Sequence, residues 1–224
     1  PERLEPIAVP ATIGMLRFHE GRMEEAAEAF ADMRALARSA GDHLSEFQAT
    51  EQLVMLAHQR GDLAGALRHA RELVAVAERW REGSEAPFAQ ALEALCRLAG
   101  GEPAEVALED ALARLRVADA KHRLAYVLTR VAMLELTTGR ARSAQARARE
   151  ALACAETLER PTEIALAHLT LARAHAAMGD EEGGKVHVVA LGRLREVPVA
   201  RWARDQVEAF LDRRVGGEAE AEGT

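Results

Sequence analysis

Glycine recurs in this chain at Gly21, Gly61, Gly100–Gly101, Gly139 and Gly179, a step of about forty residues, and the same few residue types recur around each of them. A regular step of that size predicts an array of helical hairpins in which each hairpin buries its apolar face only against its neighbours. Such a scaffold has no conserved chemistry of its own. Its function rests on surface residues that are free to vary from repeat to repeat.

The residue supply agrees with an array. Hydrophobic residues make up 49% of the 224 residues but aromatic ones only 4%, so the interior must be built from Ala and Leu between closely spaced helices. Cys96 and Cys154 fall in different repeats within alanine-rich stretches and form no CxxC motif, which predicts small buried hydrophobes in a reducing cytoplasm. A net charge of −7 argues against a surface that tracks nucleic-acid phosphates. No stretch reaches the ~20 apolar residues needed to cross a bilayer. The first residues, Pro1-Glu2-Arg3-Leu4-Glu5, lack the order of a secretion signal and have no Met, as expected of a piece of a longer polypeptide.

Set under one another, the repeats share a logic. Ile13-Gly14 leads to Gly21, then Ala26 and Phe30; Leu53-Val54 leads to Gly61-Asp62, then Ala66 and Ala70. Val131-Ala132 leads to Gly139, then Ala144 and Ala148, and Leu171-Ala172 leads to Gly179-Asp180. The glycine suits the left-handed residue that stops a helix. Asp62 and Asp180 are placed to cap the helix that follows, and the small residue lets two helices approach.

This pattern resembles the tetratricopeptide repeat, whose apolar-small pair, turn glycine, small residue and bulky residue are met by Ile13, Gly14, Gly21, Ala26 and Phe30. The family's opening aromatic is Pro10, Thr50 or Leu128 here, and the step exceeds the family's usual thirty-four or so residues. Longer hairpins of this kind resemble the sensor and scaffold regions of bacterial transcription activators and signal-transduction ATPases. The resemblance implies an all-α, right-handed α-α superhelix, a single solenoid over residues 1–215. Its hairpins are expected at 5–41, 43–82, 85–120, 121–159 and 162–195.

Gly100-Gly101-Glu102-Pro103 offers two registers for the third turn, and we place its small residue at Ala104. From Val199 to Arg214, apolar residues recur on one side with charge opposite, which predicts a capping helix over 199–214. Residues 216–224 have nothing to bury and are expected to be a disordered acidic tail.

Several motifs carry less than they promise. Gly179 to Lys185 has the spacing of a phosphate-binding loop, but it follows a helix pattern, ends on Val186 where a hydroxyl is wanted, and holds three carboxylates. His168 and His175 share a helix face but stand two turns apart, too far to share an ion. No serine elbow or activated cysteine is visible, and His58 with Glu93 is the one dispersed pair worth testing for catalysis. The expectation is a chain with no enzymatic activity, no metal and no cofactor. Arg140, Arg142, Arg147 and Arg149 form a basic run expected on an outer, solvated face.

In the resembled family, the first helix of each hairpin lines a concave groove. The resemblance implies groove positions at Met15, Phe18 and His19; Gln48, Glu51, Gln52, Met55 and Gln59; Gln90, Glu93 and Arg97; Tyr126, Thr129, Arg130 and Met133; and Thr170 and Arg173. Of these, Gln48, Gln52, Met55, Gln90, Glu93, Arg97, Tyr126, Arg130, Met133 and Arg173 are the candidate partner-binding set. Arg97, Arg130 and Arg173 would clamp a carboxylate, unless they only pair with nearby glutamates. Met55, Met133 and Tyr126 would supply adaptable apolar contact.

The expected partner is a protein or peptide, or another domain of a larger bacterial regulator, with no direct nucleic acid and no membrane. The alternative is a sensor domain that takes a small effector and controls an attached DNA-binding or ATPase domain. A homodimer through Ile7, Ile13 and Leu16 is a further expectation.

Overall fold

The computed structural model describes residues 5–79 and 83–221. The end of the second expected hairpin at 80–82, the first four residues and residues 222–224 lie outside the described residues. Contacts group the chain into two compact units, residues 1–120 and 121–224. Both are wholly helical.

The first unit holds α1 (Glu5–His19), α2 (Met23–Ala40), α3 (His43–Gln59), α4 (Leu63–Ala77), α5 (Glu85–Ala99) and α6 (Glu105–Val117). Each helix packs on the next in sequence, and the odd-numbered helices also approach one another. The second unit holds α7 (Lys121–Thr137), α8 (Ala141–Thr157), α9 (Pro161–Ala177), α10 (Glu181–Arg193), a short 3₁₀ turn at Leu194–Glu196, and α11 (Arg201–Ala221). Here α7, α8, α9 and α10 pack in order, and α9 additionally contacts α7 and α11.

One device ends almost every helix. Gly21, Gly41, Gly61, Gly101, Asp119, Gly139, Glu159 and Gly179 all adopt positive φ. At Gly61 the amide donates to the His58 carbonyl at 3.1 Å and the next amide, of Asp62, donates to the Ala57 carbonyl at 2.9 Å. This paired closure satisfies the last orphan carbonyls of the helix, and it recurs at the other seven positions. The turn glycines seen in sequence are therefore five of these eight stops, because Gly41, Asp119 and Glu159 end the second helix of a hairpin in the same way. Asp42, Asp62 and Asp180 then open the following helices, each accepting from the amide three residues on at 2.9–3.1 Å.

The third turn settles on Gly101, with φ +82°, while Gly100 is an ordinary right-handed residue. Ala104 is not the small packing residue placed there from sequence. It is the N-cap of α6, in register with Arg22, Asp62, Arg140 and Asp180. The position of Ala26, Ala66 and Ala144 is instead taken by buried Leu108, because Glu102 and Pro103 lengthen this loop.

Packing inside a hairpin is complementary in volume. A Cβ built on Gly14 of α1 would stand 2.8 Å from the Phe30 ring of α2, so the ring occupies the space the glycine leaves. In register, the fourth hairpin pairs Ala132 with Ala148. The C-terminal helix differs from expectation. Helical backbone continues past Arg214 to Ala221, through the segment expected to be disordered; Ala and Glu, which dominate it after Gly216-Gly217, are good helix formers.

Candidate first-helix interaction face

The shared helix ends make the register of the first helices unambiguous, and the candidate residues can be compared position by position. On α3, Gln48, Gln52 and Met55 fall four and three residues apart, which places them on one face; Gln48 is exposed and the other two are half-buried. The same positions on α7 are Tyr126, Arg130 and Met133, and on α9 they are Leu166, Thr170 and Arg173. Pro161 opens α9 and Arg201 opens α11, one repeat step on, so α11 carries the row forward as Gln206, Phe210 and Arg213.

On α5 these positions belong to Phe88, Leu92 and Leu95, all buried. Gln90, Glu93 and Arg97 were placed in the groove from sequence by a register that the turn at Gly101 does not support, and they lie on another side of the helix. Gln90 accepts from Arg114 Nη1 of α6 at 2.6 Å, and Glu93 stands 3.8 Å from Arg71 of α4. Arg97 occupies the position of Glu135 and His175, which in every case turns toward the hairpin's own second helix or loop. Its Nε donates to Glu102 at 3.2 Å and its Nη2 to the Pro103 carbonyl at 3.0 Å. Of the three arginines, Arg97 belongs to the first unit, Arg130 and Arg173 to the second.

Within the second unit, the other two arginines have different fates. Arg130 is buried and donates to Glu163 Oε2 of α9 at 3.0 Å. Its guanidinium lies 4.3 Å from the Tyr126 ring centre and 5.4 Å from that of Trp202 on α11. Burial alone would lower its pKa, but the Glu163 carboxylate and, after it, Tyr126 together offset this and hold it charged, above its ordinary value. It ties α7, α9 and α11 together from inside.

Arg173 is half-buried and lies 5.8 Å from the Phe210 ring centre of α11. Desolvation, and then the charge of Arg213, push its pKa below the usual arginine range. No carboxylate among the described residues pairs with it. Arg213 is exposed, so Arg173, Phe210 and Arg213 make a positive, ring-backed patch with an unmet demand for an anion.

Other candidates resolve into structure. His187 of α10 sits between the two α9 histidines, its ring centre 5.3 Å from that of His168 and 5.5 Å from that of His175. Sequence missed this because the two-turn gap is bridged from a different helix. Among the described residues no group of three or more His, Cys, Asp or Glu side chains is placed to hold a metal ion. Burial pushes the Cys96 thiol up to about 12, leaving it an inert hydrophobe. In the loop-like string, Asp180 caps α10 and Lys185 pairs with Glu182 at 2.6 Å. Arg147 of the basic run donates to Glu135 at 3.0 Å. No helix among the described residues is long and apolar enough to cross a membrane.

No family model matches this chain, and no curated protein does. Among solved structures it is similar to the crystal structure of BtubC (BKLC) from P. vanneervenii, with 16% identity, a TM-score of 0.56, and coverage of 87% of this chain and 91% of that one. It is also similar to the MamA protein, at 14% identity and a TM-score of 0.45, over 86% of this chain and 93% of that one. The first likeness shows an all-α helical repeat fold.

Proposed function

We propose that this chain is a non-enzymatic protein-interaction module that holds an acidic segment of a partner on the first-helix face of its second unit. One observation carries the reading: Arg173, half-buried and desolvated beside Arg213, has no carboxylate partner among the described residues. A half-buried cation without such a partner is stabilised by an incoming carboxylate, from an acidic side chain or a chain terminus, through charge-assisted hydrogen bonds. Met133, one repeat step from Arg173, supplies adaptable apolar contact beside it. In the first unit, Gln48, Gln52 and Met55 offer a second, uncharged stretch of the same face. The long repeat step resembles that of bacterial regulators, which makes an acidic segment of an attached domain one candidate partner.

Beside this face, the cavity between α9, the 3₁₀ turn and α11 holds about 10 Å³, no more than a single water needs, and offers no room for a small effector there. The test compares the native chain with an Arg173→Glu, Arg213→Glu variant, folded by circular dichroism, in capture from lysate followed by mapping of the retained proteins. The reading stands if an acidic segment is retained by the native chain, lost by the variant, and released by salt. Identical retention by both forms overturns it.

A further inference from the structure

The first hairpin presents an open groove of about 600 Å³ between α1 and α2, on the side away from α3. Its floor includes Val9, Ile13, Ala29 and Leu36, and its rim carries Glu28 and Asp32 beside Arg17 and Glu25, which pair with each other at 3.4 Å. What covers such a groove can be read from the next repeat. Val9, Ile13 and Leu16 are 58%, 44% and 52% exposed, whereas Ala49, Leu53 and Leu56, at the same positions of α3, are 0%, 5% and 1% exposed.

The element sealing those α3 positions is α2, which lays Phe30, Met33 and Ala37 against them in one apolar cluster. Beside that stripe, α2 carries Arg34 and Arg38, which reach α4 and bind Glu72 at 2.8 and 3.4 Å. Asp32 is the residue of α2 in register with Glu72. Neither Asp32 nor Glu28 has an ion-pair partner among the described residues. The groove therefore repeats both halves of an interface the fold already builds once: an apolar strip, and a carboxylate awaiting arginine.

We infer that this groove docks an amphipathic helix of a partner protein whose apolar stripe is flanked by arginines one turn apart, as α2's is. A second copy of this chain, docked face to face, fits worse, because it would gather Glu25, Glu28 and Asp32 of both chains into one interface with Arg17 the one groove cation on each side to offset them. Ile7, one of the residues expected to pair two copies, is moreover buried in the chain's own core. The arginines set the register and the salt dependence, while the apolar strip supplies most of the affinity.

The probe is a peptide of the α2 sequence, residues 23–40, held helical by a side-chain bridge on its solvent face and checked by circular dichroism. Its binding to the full chain is followed by fluorescence anisotropy. The expected result is saturable binding, weakened tenfold or more by Ile13→Glu and by Asp32→Arg in the chain, and unchanged by Arg173→Glu. A peptide whose two arginines are replaced by glutamate, bound to the Asp32→Arg chain, should recover part of the loss. A verified helix that does not bind, or binds the Ile13→Glu and Asp32→Arg chains as it binds the native one, overturns the inference. So does sedimentation showing a dimer that Ile13→Glu dissolves, because the occupant is then a second copy.

Discussion

Phe30, Phe47 and Phe88 are sealed inside the unit over 1–120, whereas in the unit over 121–224 α8 turns Ala144, Ala148, Ala151 and Ala155 inward and the interior takes in Arg123, Arg130, Glu135 and His175. One backbone repeat is thus filled in two ways. Rings complete the first interior by volume. Alanines draw the helices of the second together, and the long polar side chains reach across to the neighbouring helix. Each buried polar group then needs a partner. Glu135 Oε1 accepts from Ser143 at 2.8 Å and from Arg147 at 3.0 Å, and His175 lies 2.9 Å from Gln145 and 2.7 Å from Asp180. The first unit buries Glu46 in the same manner: burial favours its neutral form, but hydrogen bonds from Arg38 and Arg79 prevail and hold it below the usual carboxylate range.

Two matched substitutions put the largest strain on this contrast. In the first unit, Phe30→Ala removes a sealed ring and should cost about 3–5 kcal/mol in denaturant unfolding. In the second, Arg130→Met leaves the shielded Glu163 carboxylate without its cation and should also cost about 3–5 kcal/mol. The distinction lies in rescue. Adding Glu163→Gln to Arg130→Met should restore more than half of the loss, since the uncompensated charge is gone. A cost below about 1 kcal/mol for Arg130→Met would mean that pairing is not what holds the second interior.

Gly14→Ala tests volume alone. A better helix former gains about 1 kcal/mol, but the new methyl meets the Phe30 ring and overpacking costs about 1–3 kcal/mol. A net loss of about 1 kcal/mol is expected. In a Phe30→Ala background the sign should reverse, because the pair then copies Ala132 and Ala148. Stabilisation by Gly14→Ala in the native background would show that the first interior has slack.

The pH response should sharpen the polar half of the comparison. Burial, then the nearby His168 and His175, then Arg149 of α8, press His187 down to about 4. A histidine depressed in the folded chain is neutral there, while the unfolded chain binds its proton near pH 6.5. Stability is therefore present above that value and is lost as pH falls from about 6.5 towards about 4. His69 of the first unit is also lowered, by burial and by Arg34, so part of the slope is shared. Thermal melts should show His187→Gln flattening the fall between pH 6.5 and 4.5 by a few degrees, a size set by about 2–4 °C per kcal/mol for a chain of this length. An unchanged slope would place the acid sensitivity elsewhere.

The fold was largely legible in sequence because helix ends are local events. A glycine at the turn, an Asp after it and a small residue on the next helix announce themselves without long-range knowledge. The third hairpin was misread for the same reason: two adjacent glycines satisfy the local pattern equally, and only packing chooses Gly101 and buries Leu108. The residues in register with Gln48, Gln52 and Met55 are Phe88, Leu92 and Leu95 counted from Gly101 and would be Pro87, Ala91 and Ala94 counted from Gly100, so neither glycine puts Gln90, Glu93 and Arg97 on that row. The chemistry of the candidate face was less legible. Arg130 and Arg173 look alike in sequence, and what separates them is Glu163 and α11, thirty or more residues away. His187 was invisible in the same way.

The smallest effect belongs to the candidate face of the first unit. Gln48 is exposed and Gln52 half-buried, and among the described residues no hydrogen bond from either holds a neighbouring helix. Truncating them, Gln48→Ala with Gln52→Ala, should change unfolding free energy by less than about 0.5 kcal/mol, against the several expected at Arg130 in the same register position as Gln52. Position in the repeat would then set only where a side chain points, and the neighbours it meets would set whether it holds the fold or is free to meet a partner. A loss of more than about 1 kcal/mol would erase that separation and make the row structural throughout.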